Sequence, residues 1–296
     1  MSLADLSRFD MKHVTDVPAL CHLMHDEHAA GRKVVLLAGG TDYMVELSQG
    51  DLLEDRLPVV IDISRMSDLQ GISFDGVTLR IGAAATYLEI QRHAAVQRHT
   101  PAIAAMTYDV GGPTIQARGT LGGNLATGSP AADGVAAIAA YDPTLVLRSV
   151  RGQRRIPFAD LQTGYKQDTR APDEVFEAIE IVAPASSAAQ IWRKVGTRSA
   201  QAISKVAMAA VAEVDEEVVV RFGLALASVA PVTALMPATR DLVSGAAIAE
   251  LDVAAVDAAV EADVSPIDDI RSTGAYRLHV AKAVVRDFLR GLGAPF

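Results

Sequence analysis

Hydrophobic positions along the chain switch repeatedly between helical spacing, period-two alternation and short continuous runs. Leu20, Leu23 and Met24 give Asp16–Gly31 one apolar face, with Pro18 in the first turn and Thr15 as the expected N-cap. The run Val34–Ala38 stops at Gly39-Gly40-Thr41-Asp42, the pattern of a buried strand leaving through a glycine turn. A short helix beginning over Tyr43–Leu47 follows, whose first amides would favour an anion. Val59–Ile63 reads as a second strand, and Ile72–Phe74 with Val77–Ile81 as a hairpin around Asp75-Gly76. Thr86 and Glu89 make a capping box for a helix through Ala95. Pro101–Tyr108 is another helix, Asp109–Gly119 a loop, and Ala-rich Asp133–Tyr141 a helix with Asp133 as its N-cap. Thr144–Val150 and Arg154–Ile156 flank a turn at Arg151-Gly152. Val175–Val182 and Gln190–Val195 are strands.

The small, polar connection Ala183–Ala189 is a candidate domain boundary. Beyond it, Lys205–Val214 and Val218–Val229 form a long hairpin around Asp215–Glu217. Ala246–Ala262 and Thr273–Gly291 are helices, the second with Tyr276, Val280, Val284 and Phe288 as its buried stripe. A hairpin followed by helices predicts α+β packing, with a sheet covered on one face.

Composition narrows the function. The chain has 296 residues, half of them apolar, so two domains with sizeable cores are expected. Net charge is −9, and no Lys/Arg run offers a nucleic-acid surface. No apolar run approaches the about 18 residues of a membrane span. MSLADLSRFD lacks a basic-then-apolar leader pattern, so a cytoplasmic location is expected. Cys21 is the single cysteine. It cannot form an internal disulfide, nor hold an iron–sulfur cluster, and it reads as a core thiol. His22, His25 and His28 drift around their helix and read as a solvated face, not a metal site. Ser129 lies in G-S-P, not in a nucleophile elbow, and no histidine is placed as its base.

Two stretches carry candidate chemistry. TLGGNLATGSPAAD, from Thr120 to Asp133, contains Gly122, Gly123 and Gly128. Paired glycines admit close backbone approach, and successive amides in such a turn form a nest for anions. Thr120, Asn124, Thr127 and Ser129 add donors, and Asp133 can accept from a sugar hydroxyl. VVLLAGGTD, from Val34 to Asp42, supplies a second glycine turn. Neither matches the G-x-G-x-x-G or P-loop fingerprint. Two such turns could close on one diphosphate from both sides.

AGGTD at Ala38–Asp42, TLGGN at Thr120–Asn124 and SPAAD at Ser129–Asp133, with WRKVGTR at Trp192–Arg198 and DDIRSTGAYR at Asp268–Arg277, resemble one family in order and spacing. It is the FAD-binding medium subunit of the molybdenum hydroxylases, which include xanthine dehydrogenase and carbon monoxide dehydrogenase. The resemblance implies an α+β architecture: a two-lobed vanillyl-alcohol-oxidase/PCMH-like FAD-binding fold, then a smaller α+β domain with an antiparallel sheet covered by helices. The expected division is residues 1–183 (lobes about 1–58 and 59–183) and 188–293. FAD would lie among Leu36, Leu37, Ala38, Gly39, Gly40, Thr41, Asp42 and Tyr43 on one side. Gly111, Gly119, Thr120, Gly122, Gly123, Asn124, Thr127, Ser129 and Asp133 would form the other. The resemblance also implies Val175 and Phe176 against the adenine, and Lys194 near the flavin ring.

Flavin chemistry asks little of the protein's own acids and bases, so no catalytic side chain and no metal ligand is expected here. Molybdopterin and a [2Fe-2S] cluster would reside on partners, a large and an iron–sulfur small subunit, in a heterotrimer or its dimer. Electrons would pass from the cluster through FAD to NAD or another acceptor. Tyr43, Gln116-Ala117 and Gln201 depart from the family pattern and concern the ring environment. The alternatives are a stand-alone flavin reductase or oxidase of the same fold, whose substrate acid and basic clamps are not identifiable, and a scaffold with purely structural glycine loops.

Overall fold

The computed structural model describes residues 9–49, 58–198 and 201–296. The leader reading of residues 1–8 lies outside them. The lobe division expected between residues 58 and 59 is corrected by the structure: Val59–Asp62 pairs on both sides within the first sheet, so the first lobe runs past it. The first unit is a parallel three-stranded sheet in which Val59–Asp62 lies between Asp10–His13 and Val34–Leu37. Parallel strands need a crossover, and helix Val17–Ala29 carries the chain from one outer strand, Asp10–His13, to the other, Val34–Leu37. Leu20, Cys21 and Met24 pack on Ile61 and Leu69, so the thiol is a core group, and burial pushes its pKa up. The three histidines of this helix are exposed. Its N-cap is Asp16, not Thr15: the Asp16 carboxylate accepts from the Ala19 amide at 2.8 Å, while the Thr15 hydroxyl donates to Asp16. Strand Asp10–His13 is nearly all polar and exposed, and for that reason its sequence carries no alternation signal.

The second unit is an antiparallel five-stranded sheet, in the order Ile72–Phe74, Thr78–Gly82, Val175–Val182, Thr144–Ser149, Gly152–Pro157. Helices Tyr87–Arg92, Ala94–His99, Pro101–Asp109, Leu121–Thr127 and Asp133–Ala139 join it in one core. The Thr86–Glu89 capping box forms, but the helix stops at Arg92 because His93 is extended. On the central strand Glu177 is buried. Desolvation alone would raise its pKa, but Arg148 at 2.7 Å and Arg80 at 2.8 Å hold it below the usual range.

The third unit is the antiparallel sheet Ala189–Val195, Val206–Asp215, Val218–Ala227. Alternate residues of its middle strand enter different cores. Ala207, Ala209 and Val211 join the core of the second unit, while Val206, Met208, Ala210 and Ala212 lie under the C-terminal helices. Those helices are Pro237–Val243, which was not expected, Val253–Asp263 and Gly274–Leu292. The helix expected from Ala246 starts only at Val253, where Asp252 caps it. In Gly274–Leu292 the buried face is Arg277, Val280, Ala281, Val285, Phe288 and Leu289, and Tyr276 is exposed. Four-residue steps drift about 40° each around a 3.6-residue helix, so the stripe shifts to mixed spacing. Buried Arg277 staples the motif around it, donating to the carbonyls of Lys205 at 2.9 Å and Ser228 at 2.8 Å, and to Asp269 at 2.8 Å.

Helix Asp133–Ala139 is sandwiched between the second and third units, and its end meets strand Val218–Ala227 at Gly223. A Cβ at Gly223 would overlap the carbonyl oxygen of Ala140. Gly223→Ala should therefore cost about 1–3 kcal/mol in urea denaturation. Gly291→Ala, where a Cβ meets nothing, should be neutral or stabilising by up to about 1 kcal/mol. Equal stabilities for the two variants would contradict the close approach.

Candidate functional site

Strand Val34–Leu37 runs into Gly39 and Gly40, and the chain turns there with Gly40 at φ +72°. Gly39 lies against the Arg118 carbonyl, which a Cβ would overlap. Two loops far apart in sequence thus touch. A second tie is the Thr127 hydroxyl, 2.7 Å from Asp42 Oδ2 and placed to donate to it. Between the loops lies a cleft of about 590 Å³. One side is Leu36, Leu37, Ala38, Gly39, Gly40, Thr41, Asp42 and Tyr43; the other includes Gly119, Thr120, Gly123, Asn124 and Thr127.

The Thr120–Asn124 stretch is not the open nest expected of paired glycines. It starts helix Leu121–Thr127, capped by Thr120. Its amides are used internally: Leu121 donates to Ala85 O, Gly122 to Ala83 O, Gly123 to Thr120 Oγ1 and Asn124 to Thr120 O. Gly122 serves packing, since a Cβ there would strike Ala83, and it does not border the cleft. The open amides belong to the other loop. Those of Gly39, Gly40, Thr41 and Asp42 find no acceptor among the described residues. Successive free amides at a left-handed glycine form an anion-binding concavity.

Ile115 lines both the cleft and a second chamber of about 340 Å³, which Gly111, Gly112, Asp133, Lys194 and Gln201 also border. The loop expected over Asp109–Gly119 contains a short helix, Pro113–Gln116, which carries Ile115. Asp133 is not an N-cap. Ala132 holds that place, and Asp133 is the first helical residue. Its Oδ2 accepts from Lys194 Nζ at 2.6 Å, and Nζ also donates to the Asp109 carbonyl at 3.0 Å. Trp192 Nε1 donates to the Asp109 carboxylate at 2.8 Å. Burial raises the Asp133 carboxyl to about 6, a rise that Lys194 only partly offsets. Asp133 Oδ1 is buried with no partner, as is the hydroxyl of Tyr87 on the cleft wall. Burial, then the charges of Asp133 and Asp42, push the Tyr87 phenol well up. Orphaned polar atoms at a cavity wall are groups a ligand can satisfy.

Other expected residues lie elsewhere. Ser129 borders a separate cavity with Ser204 and Ser228. Val175 and Phe176 are each 3 % exposed, in two different cores, and border neither the cleft nor the chamber. Phe176 instead lies under the Arg170 guanidinium, 4.5 Å from its ring centroid. Gln116 is buried and donates to the Tyr108 carbonyl, and Gln201 abuts Gly112. Tyr87 and Lys166 border the cleft without having been singled out. Tyr87 lies inside the recognisable capping box, but nothing local shows that its hydroxyl lacks a partner.

Residues 7–184 match the FAD binding domain in molybdopterin dehydrogenase, and residues 192–292 match the CO dehydrogenase flavoprotein C-terminal domain. The nicotinate dehydrogenase FAD-subunit of Eubacterium barkeri is 32% identical over 72% of this chain and 71% of its own. The xanthine dehydrogenase FAD-binding subunit of Escherichia coli O157:H7 is 30% identical over 85% and 86%. The solved carbon monoxide dehydrogenase of Hydrogenophaga pseudoflava superposes with a TM-score of 0.88 over 96% of each chain, at 26% identity.

The raised Asp133 carboxyl has a pH consequence. Its ordinary value is 3.8 and its folded value about 6, so the folded state holds the proton more tightly than the unfolded state. Its contribution to stability is greatest below about pH 4, falls as pH rises to about 6, and is flat above. Asp133→Asn removes this component. The stability of the variant relative to wild type should rise by about 3 kcal/mol across that window. Urea denaturation of the flavin-free protein at a series of pH values measures it, and a flat difference would rule out burial as the cause.

Proposed function

The chain belongs to the family of FAD-binding medium subunits of the molybdopterin dehydrogenases, and from that premise we propose how its cleft holds the cofactor. It is the FAD-binding subunit of a molybdenum-hydroxylase-type oxidoreductase, with the molybdenum and iron–sulfur cofactors on other subunits. One observation carries the site reading: four open amides, Gly39 to Asp42, face a helix whose own amides are already used. The Gly39–Asp42 amides receive the diphosphate, and Gly123 keeps the opposite wall clear of side chain. Tyr87 and Asp133 Oδ1 offer their unpaired atoms to cofactor hydroxyls. The chamber reached past Ile115, beside the Lys194–Asp133 pair, takes the ring. The residues fit a long dinucleotide, because two cavities with different lining adjoin at Ile115. Bound there, FAD supplies reversible electron storage; this chain supplies binding, orientation and electrostatics.

The donor in this reading is an iron–sulfur small subunit, and the acceptor is NAD or another oxidant. The assembly is a heterotrimer with a molybdopterin large subunit, or its dimer, in the cytoplasm. No helix among the described residues is long and apolar enough to cross a membrane. The domains divide as residues 1–183 and 188–293. The turn closed by Ala188 N to Ala185 O lies between the second and third sheets, which supports that boundary.

The purified full-length chain should be yellow and release FAD on denaturation. Purified under native conditions from its source, it should carry molybdenum- and iron-containing partners; a solitary flavoprotein would favour a stand-alone reductase. Gly123→Val, whose Cβ would come within 2.9 Å of the capping Thr120 Oγ1, should weaken FAD binding about tenfold or more, beyond what the disturbed cap costs in thermal unfolding. Unchanged flavin occupancy would move the diphosphate out of this cleft.

A further inference from the structure

The hairpin Gln162–Gly164 and Gln167–Asp168 brings its tip, Tyr165-Lys166, to the cofactor cleft, where Lys166 is part of the lining. Lys166 holds a left-handed backbone, φ +52°, which is uncommon outside glycine. It packs on Gly128, the left-handed C-cap of helix Leu121–Thr127; a Cβ on Gly128 would come within 3.3 Å of Lys166 Cα. The hairpin is braced from behind. Asp168 takes Arg170 Nε at 3.0 Å and its terminal nitrogen at 2.7 Å, and the same guanidinium lies over Phe176. The Thr169 amide donates to Leu161 O at 2.9 Å, and the Thr233 amide to Gln162 Oε1 at 3.1 Å.

The charge pattern gives this placement a purpose. Among the described residues the Lys166 ammonium has no carboxylate within ion-pair distance. The cleft lining also holds one other cation, Lys33, and two carboxylates, Glu46 and Asp42, of which Asp42 accepts from Thr127. A cation on a braced hairpin, lining the same cleft as the open amides, is complementary to a polyanion, and the chain as a whole, at −9, otherwise repels one.

We propose that Lys166, carried on the Gln162–Asp168 hairpin, is a cationic contact for the cofactor diphosphate, and that Asp168, Arg170 and Phe176 are positioning residues for it. The proposal rests on the FAD reading of the cleft and adds the charge that the glycine loops lack.

Fluorescence titration of full-length, flavin-stripped protein with FAD tests it, at low and at physiological salt. Lys166→Met should weaken FAD binding roughly five- to tenfold at low salt, with a smaller gap at higher salt, because an exposed cation is screened. Lys166→Arg should restore affinity. Thermal unfolding of the three flavin-free proteins should coincide, since no pairing is lost in the apoprotein. Equal FAD affinity of Lys166→Met and wild type at both salt concentrations overturns the proposal. So does a loss that salt leaves unchanged or that arginine fails to rescue. Wild-type protein that takes up no FAD sinks the cleft reading itself, a result distinct from wild type and Lys166→Met binding equally.

Discussion

The site depends on how closely one helix of small residues can lie against a sheet. Gly134, Val135, Ala136, Ala137, Ile138 and Ala139 are all buried, and the helix ends with a carbonyl pressed on Gly223. Small side chains let backbones approach, and close packing then leaves little play. The sheet it rests on includes the strand that carries Lys194. The separation of helix and sheet therefore sets the distance between Asp133, at the helix start, and Lys194. A buried ion pair is costly to desolvate and is kept only with good geometry and further hydrogen bonds. Here the Asp109 carbonyl supplies one, and Trp192 holds the Asp109 side chain.

The cleft is made by an unequal division of hydrogen-bonding capacity. A buried backbone amide needs an acceptor, and helix Leu121–Thr127 finds all of its early ones within the chain. That wall is closed and rigid. The Gly39–Asp42 wall leaves its amides unmet, so the binding capacity lies on the side where the sequence looked less distinctive. Thr127 to Asp42, and Gly39 against Arg118, keep the two walls in register.

The sheet behind the cleft is stiffened by acids that a hydropathy pattern would place outside. Glu177, Glu174 and Asp173 are buried, and each is gripped by arginine: Arg148 with Arg80, Arg154, and Arg151 respectively. These pairs anchor the strand and the turn before it, and through Phe176 and Arg170 the same strand braces the hairpin that bears Lys166. Phe176, which the family resemblance puts against the adenine, lies here under the Arg170 guanidinium.

Local chemistry made most elements legible. The Thr86–Glu89 capping box, the Asp75-Gly76 hairpin and the long hairpin around Asp215–Glu217 depend on neighbours in sequence, and all three formed. The glycine motifs made two close-approach turns legible, because only residues without side chains tolerate a backbone as near as Arg118 lies to Gly39, and the family resemblance of those motifs gave the cofactor class. Tertiary structure decided what each group is left to do. Gly122 and Gly123 became helix rather than nest because Ala83 and Thr120 took their amides. Asp133 became half of an ion pair because Lys194, 61 positions away, reached it. Lys166 reached the cleft because a braced hairpin folded onto Gly128. Spacing along a chain encodes turns and periods, but whether a donor, acceptor or charge remains unpaired depends on every other segment that comes near it in space.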